Sequence, residues 1–268
     1  MSTRDEEIDV SVDRETIKGT LIRPATLIPG FLFVHGWTAS RDVYLPRARE
    51  IAALGCVCLA VDMRGHAATE DLRDRVKRED NLTDVLAAYD RLASQPDVDA
   101  TTIAVVGSSY GAYLAAVLTS MRPVKLLGLR VPALYKDDDW EVPKQELRAH
   151  GLEEFRQHLV TPEQNRALAA CAAFEGDALI VRSERDEVIP PPVIASYTAA
   201  FRKARSLTCR MIEGADHGLS EKPWQQAYTS VLLAWTTEMV LRAREGGAAP
   251  EVLGGTGPTP YRGEAQPA

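Results

Sequence analysis

TIAVVGSSYGAYLAAVLTSM, residues 102–121, changes its periodicity halfway along. Thr102–Val106 is a β-branched apolar run of strand length, and Gly111–Met121 is rich in Ala and Leu, as a helix would be. Between them lies Gly107-Ser108-Ser109-Tyr110-Gly111, a GxSxG centred on Ser109. A sharp turn there lifts the central hydroxyl above the edge of a sheet. It also aims that hydroxyl past a helix N-terminus, whose free N–H groups and positive dipole end favour developing negative charge. Flanking glycines leave room for neighbouring backbone. The strand–turn–helix setting separates this motif from a Gly/Ser turn that merely enters a helix.

Outward from this unit, apolar runs alternate with helical patterns. Ile8–Val12 and Thr20–Arg23 read as short extended segments, with Lys18-Gly19 as the turn between them. Strands are expected at Phe31–His35, Cys56–Asp62, Lys125–Val131, Ala178–Val181 and Leu207–Glu213. Helices are expected at Tyr44–Leu54, Leu82–Ala93, Pro190–Phe201 and Trp224–Leu241, the last with Tyr228, Val231, Leu232, Trp235 and Met239 on one face. This alternation predicts an α/β fold: a mostly parallel sheet of about eight strands with helices on both faces. Right-handed crossovers then bring the strands' carboxyl ends to one edge, where ligands bind.

The 268 residues suit one large domain. Residues 1–245 are expected to form it. The interval 132–173, longer than a crossover needs, reads as a small helical lid with patterns at Lys144–His150 and Pro162–Phe174. Residues 246–268, rich in Gly, Pro and Ala, have little to bury and are expected to be disordered. Thirty-one basic against 38 acidic residues give a net charge of −7, with no basic cluster, which disfavours nucleic acid and anionic membranes as partners. No apolar run approaches the roughly 18 residues of a spanning helix. The polar N-terminus has no signal-like apolar stretch. A cytoplasmic location is expected. Cys56 and Cys58 should share one strand face as buried thiols.

Four elements in chain order resemble the α/β-hydrolase family: His35-Gly36-Trp37 after a strand, the GSSYG, SERDEVIP from Ser183, and Ala215-Asp216-His217-Gly218 after the last strand. The resemblance spans Ile8 to Arg244 and takes in the serine-esterase, dienelactone-hydrolase-like and prolyl-oligopeptidase-like branches. It implies Ser109 as nucleophile, Asp186 as acid and His217 as base. The residues agree, because Asp186 and His217 each follow a strand that ends at the edge where Ser109 sits. Glu184 and Glu187 are rivals of Asp186 by proximity in sequence. The resemblance also implies an oxyanion hole of two backbone N–H groups, those of Trp37 and Tyr110. The side chains of Trp37, Tyr110 and Trp140 are candidate walls of a substrate pocket. Asp62-Met63-Arg64-Gly65-His66-Ala67 resembles the family's DxRGxG turn, with Ala67 in place of the second Gly, and Arg64 is expected to pair with a carboxylate.

A serine hydroxyl needs a base to take its proton, and neutral histidine needs a carboxylate to fix its tautomer. The expected function is therefore a serine hydrolase acting on carboxylic esters of small or medium acyl groups, with a small-molecule ester as its partner. Peptidase or amidase and thioesterase or lactonase activities use the same triad. A ligand-binding protein on the hydrolase scaffold is the reading from another class. The Tyr after Ser109 resembles prolyl-oligopeptidase-like peptidases, whose N-terminal propeller is not expected here. No HExxH, paired CxxC or phosphate-binding glycine motif is present, so neither metal nor cofactor is expected.

Overall fold

The computed structural model describes residues 4–23 and 28–244. The tail expected to be disordered, 246–268, lies outside them. Eight strands form one sheet: β1 Arg4–Val12, β2 Glu15–Arg23, β3 Ile28–Val34, β4 Val57–Val61, β5 Val98–Ser108, β6 Leu126–Arg130, β7 Asp177–Ser183 and β8 Ser206–Ile212. Their spatial order is β1-β2-β4-β3-β5-β6-β7-β8. β1 and β2 pair antiparallel, as do β2 and β4, and every other pair is parallel.

The central strands β3, β4 and β6 are buried along nearly their whole length, which explains their continuous apolar runs. Helices cover both faces. α1 Leu45–Ala53 and α7 Lys222–Arg244 lie on one, where Ala48, Ile51, Tyr228, Leu232 and Trp235 pack on Phe31, Phe33, Cys56 and Cys58. α2 Arg78–Ala93, α3 Tyr110–Leu118, α5 Arg166–Ala173 and α6 Pro191–Ala200 lie on the other. No helix of the described residues is long and apolar enough to cross a membrane.

Two local readings change. The β1–β2 turn is Asp13-Arg14, not Lys18-Gly19. Gly19 lies inside β2, opposite Ile8 and Val61, and Asp13 takes the positive φ of 54° that the tight turn needs. The helix expected over Pro162–Phe174 is interrupted at Asn165, whose backbone is extended (φ −152°, ψ 127°). Its side chain caps α5 by accepting from the amides of Ala167 and Leu168.

The segment 132–173 holds a short 3-10 stretch at Lys144–His150, α4 Leu152–Arg156 and α5. Leu147, Leu152, Leu168 and Cys171 are buried in the α2–α3 side of the core, so the segment is tied to the body of the molecule.

Candidate active site

β5 delivers the chain to Ser109, and α3 begins at the next residue. The elbow forces Ser109 to φ 52°, ψ −113°, a conformation that L-residues rarely adopt. The strain is held by packing. A Cβ on Gly107 would lie 2.4 Å from the carbonyl oxygen of Gly111, and one on Gly111 would lie 2.3 Å from that of Val34. The Ser109 N–H also donates to the Arg130 carbonyl at 2.8 Å, which ties the elbow to β6.

β7 and β8 deliver the other two groups. His217 Nε2 is 3.0 Å from Ser109 Oγ, and His217 Nδ1 is 2.9 Å from each carboxylate oxygen of Asp186. With its proton on Nδ1, the ring donates to Asp186 and offers Nε2 to the serine O–H. Asp186 Oδ1 also accepts from the amides of Val188 and Ile189. Burial pushes the Asp186 carboxyl up, but the bond and charge of His217 and these two amides outweigh it and hold the pKa below its usual value. The rivals point elsewhere. Glu184 Oε2 accepts from the Gly214 amide at 2.6 Å, and Glu187 is exposed.

His35 holds the loop that carries Trp37. Its Nε2 accepts from the Met63 N–H at 3.2 Å, so the proton is on Nδ1, which donates to the Gly36 carbonyl at 2.8 Å. Burial lowers its pKa to about 4. Because β3 and β5 are neighbours, this loop meets the elbow, and the rings of Trp37 and Tyr110 approach edge-on at 5.6 Å. Tyr110 opens α3, so its N–H is a first-turn amide with no partner inside the helix. In the following turn Arg64 pairs with Asp84 at 2.6 Å.

A cavity of about 920 Å³ opens beside Ser109 and His217 and runs between α1 and the start of α7. Trp37 lines it. Tyr110 and Trp140 do not, which corrects both as pocket walls. All nine residues of α3 are buried, so the Tyr110 ring points into the core, where its hydroxyl donates to Asn81 Oδ1 at 3.1 Å. Trp140 stacks on the Arg166 guanidinium, 3.8 Å from its ring centre. No residue of 132–173 is among the described residues lining this cavity, although Lys144 Nζ lies 4.6 Å from the Trp37 ring centre.

Two buried cationic lining residues escaped the sequence reading. Arg130 is the last residue of β6. Its Nη1 donates to Ser108 Oγ at 2.8 Å and its Nη2 to the His217 carbonyl, so it ties the elbow to the histidine loop. Arg47 lies on the buried face of α1. For Arg130 the available signal was a lone charge at the carboxyl end of an apolar strand, the edge where ligands bind.

Residues 31–257 match the model of the alpha/beta hydrolase family. An uncharacterised protein of Mycobacterium tuberculosis (strain H37Rv) is 26% identical over 191 residues, which are 70% of this chain and 63% of that protein. The chain therefore spans less than two thirds of that relative's length. Among solved structures, a dienelactone hydrolase from Anabaena variabilis superposes with a TM-score of 0.63 at 22% identity, over 89% of this chain and 99% of that one. Est1E from Butyrivibrio proteoclasticus, with ferulic acid bound, gives 0.67 at 16%, over 87% and 99%. An acylaminoacyl peptidase from Pyrococcus horikoshii gives 0.68 at 16%, over 90% of this chain but 42% of that one. At these identities the likeness concerns the fold.

Proposed function

The chain belongs to the alpha/beta hydrolase family, and within it we propose a serine hydrolase that cleaves carboxylic esters of small or medium acyl groups. The observation that carries this reading is the unbroken chain from Ser109 Oγ to His217 Nε2 at 3.0 Å and from His217 Nδ1 to Asp186 at 2.9 Å. His217 takes the hydroxyl proton on Nε2 as Ser109 Oγ bonds to the ester carbonyl carbon. The carbonyl oxygen becomes an oxyanion, held by the backbone N–H groups of Trp37 and Tyr110. The tetrahedral intermediate collapses, the C–O bond to the alcohol breaks, and the Nε2 proton goes to the leaving oxygen. Water then repeats the sequence on the acyl-enzyme, with His217 again as base, and releases the acid. The proton on Nδ1 stays on histidine throughout, and Asp186 supports the imidazolium that forms twice per turnover.

The test is an acyl-length series of nitrophenyl esters run beside an anilide and a thioester of the same acyl group. The expected result is turnover of short and medium esters, with the anilide slower by at least about a hundredfold. An anilide cleaved as fast as the ester would favour the amidase reading. No turnover of any of them would favour a binding protein.

A further inference from the structure

The cavity beside Ser109 carries a charge that the proposed reaction does not use. Arg47 and Arg130 both line it, and they are only 9% and 6% exposed. Their guanidinium carbons lie 4.9 and 5.7 Å from the centre of the Tyr228 ring. Arg47 donates to the carbonyls of Val43 and Gln225, and Arg130 to Ser108 Oγ and the His217 carbonyl. All four acceptors are neutral. The Nε of each arginine is buried without a partner.

Among the described residues no carboxylate lies within 4.0 Å of either guanidinium. Asp42 and Glu50 also line the cavity but are exposed. Asp186 acts on Arg130 across space, yet its oxygens are taken up by His217 and two amides. Burial works against the Arg130 charge and pulls its pKa down. A buried charge without a counter-ion is costly, and arginine stays protonated, so the site is short of an anion rather than of a proton. Elsewhere in the molecule Asp84 meets the buried Arg64. Arg78 and Arg156 also lack an acid among the described residues, but they pack over the Tyr135 ring and are not among the residues that line this cavity.

Resting on the serine-hydrolase reading, we infer that the substrate is an anionic ester whose acyl chain ends in a carboxylate, which Arg47 and Arg130 receive while Ser109 attacks the ester carbonyl. A carboxylate suits them because its two oxygens can accept from planar guanidinium groups in charge-assisted bonds. Its two buried arginines, without a paired acid among the described residues, distinguish the cavity from a plain alkyl pocket; Lys222, which also lines it, is exposed.

The experiment compares monoethyl esters of succinic, glutaric, adipic and pimelic acids with neutral ethyl esters of the same chain length. Hydrolysis is followed by acid release for wild type, Arg47→Gln and Arg130→Gln, and the readout is the anionic-to-neutral ratio of kcat/KM. Wild type should favour the anionic ester at one or more chain lengths by about tenfold or more, and each variant should cut that ratio by about tenfold. A general loss of activity cancels in the ratio. For variants that fail to fold, a second measurement on wild type decides: free adipate should slow labelling by a neutral fluorophosphonate, and hexanamide should not. A wild-type ratio at or below one at every length, a ratio unchanged in folded variants, or no difference between adipate and hexanamide would overturn the inference. Failure of the underlying reading looks different, since the wild-type protein would then take up no fluorophosphonate at all.

Discussion

At Ser109 the molecule accepts a strained backbone in order to present a hydroxyl, and the two groups that could activate it come from loops more than 70 residues away in sequence. Ser109, His217 and Asp186 were legible because each sits at a fixed kind of place, just after a strand that ends at one edge. The choice of Asp186 over its neighbours has a physical basis. The short side chain accepts two amides of its own loop, which fixes both oxygens toward the imidazole, whereas Glu184 serves Gly214 instead. Asp186→Asn should therefore lower kcat on a single ester by about 10²–10⁴, because the histidine loses its tautomer control and its counter-charge. Glu184→Gln and Glu187→Gln should stay within about tenfold of wild type, as expected of exposed charges. Steady-state rates with circular dichroism as a folding control make the comparison, and a collapse in either glutamine variant with Asp186→Asn intact would reassign the acid. Arg47 was not legible. Its neighbour Arg49 is exposed and has the same chemistry, and only the phase of α1, with 47, 48, 51 and 52 inward, tells them apart. That phase is poorly marked in a helix where Arg, Glu and Ala are interleaved.

The strand–turn–helix element works because β5, the elbow and α3 are packed at backbone contact. Gly111→Ala would press a methyl group against the Val34 and His35 carbonyls, at 2.3 and 2.4 Å, and neither backbone can retreat without breaking β3 pairing. The expected cost is several kcal/mol, about 3 or more, with loss of activity from a displaced Ser109. Chemical denaturation measures it, and a loss below about 1 kcal/mol would mean that the elbow is looser than described. Long periodic elements were readable to within a few residues. The misread ones were decided by contacts that local sequence does not carry. Lys18-Gly19 has turn composition, yet cross-strand pairing with Ile8 and Val61 places it in β2. The pattern over Pro162–Phe174 is periodic, yet Asn165 caps a new helix there. Likewise, Tyr110 and Trp140 could be placed near the site by sequence, but the direction of an aromatic ring depends on which neighbours leave room for it.

At the scale of the whole molecule, the sheet edge and the loop that carries Trp37 share a buried pair of histidines with consequences for acid stability. His35 and His66 pack edge-on with ring centres 4.7 Å apart, and burial lowers each pKa to about 4. In the unfolded chain they titrate near the ordinary value of 6.5. Between those values the unfolded state binds more protons than the folded one, so stability falls as pH falls. From pH 7 to 5.5 each histidine should account for a loss of about 1 kcal/mol. Asp84 runs the other way, since burial raises its pKa to about 6 and its folded form gains stability as it protonates. The variant His66→Gln separates the two effects. Its melting temperature should fall less than that of wild type over this range, and equal slopes would show that His66 is not held neutral by burial.

The reading of Ser109 as the activated nucleophile yields a direct experiment. The protein is treated with a neutral fluorophosphonate and the adduct located by mass spectrometry. The expected result is one adduct on Ser109, absent in Ser109→Ala, greatly slowed in His217→Gln, and retained in Ser108→Ala. An adduct on another residue, or full labelling of Ser109 without His217, would contradict that reading.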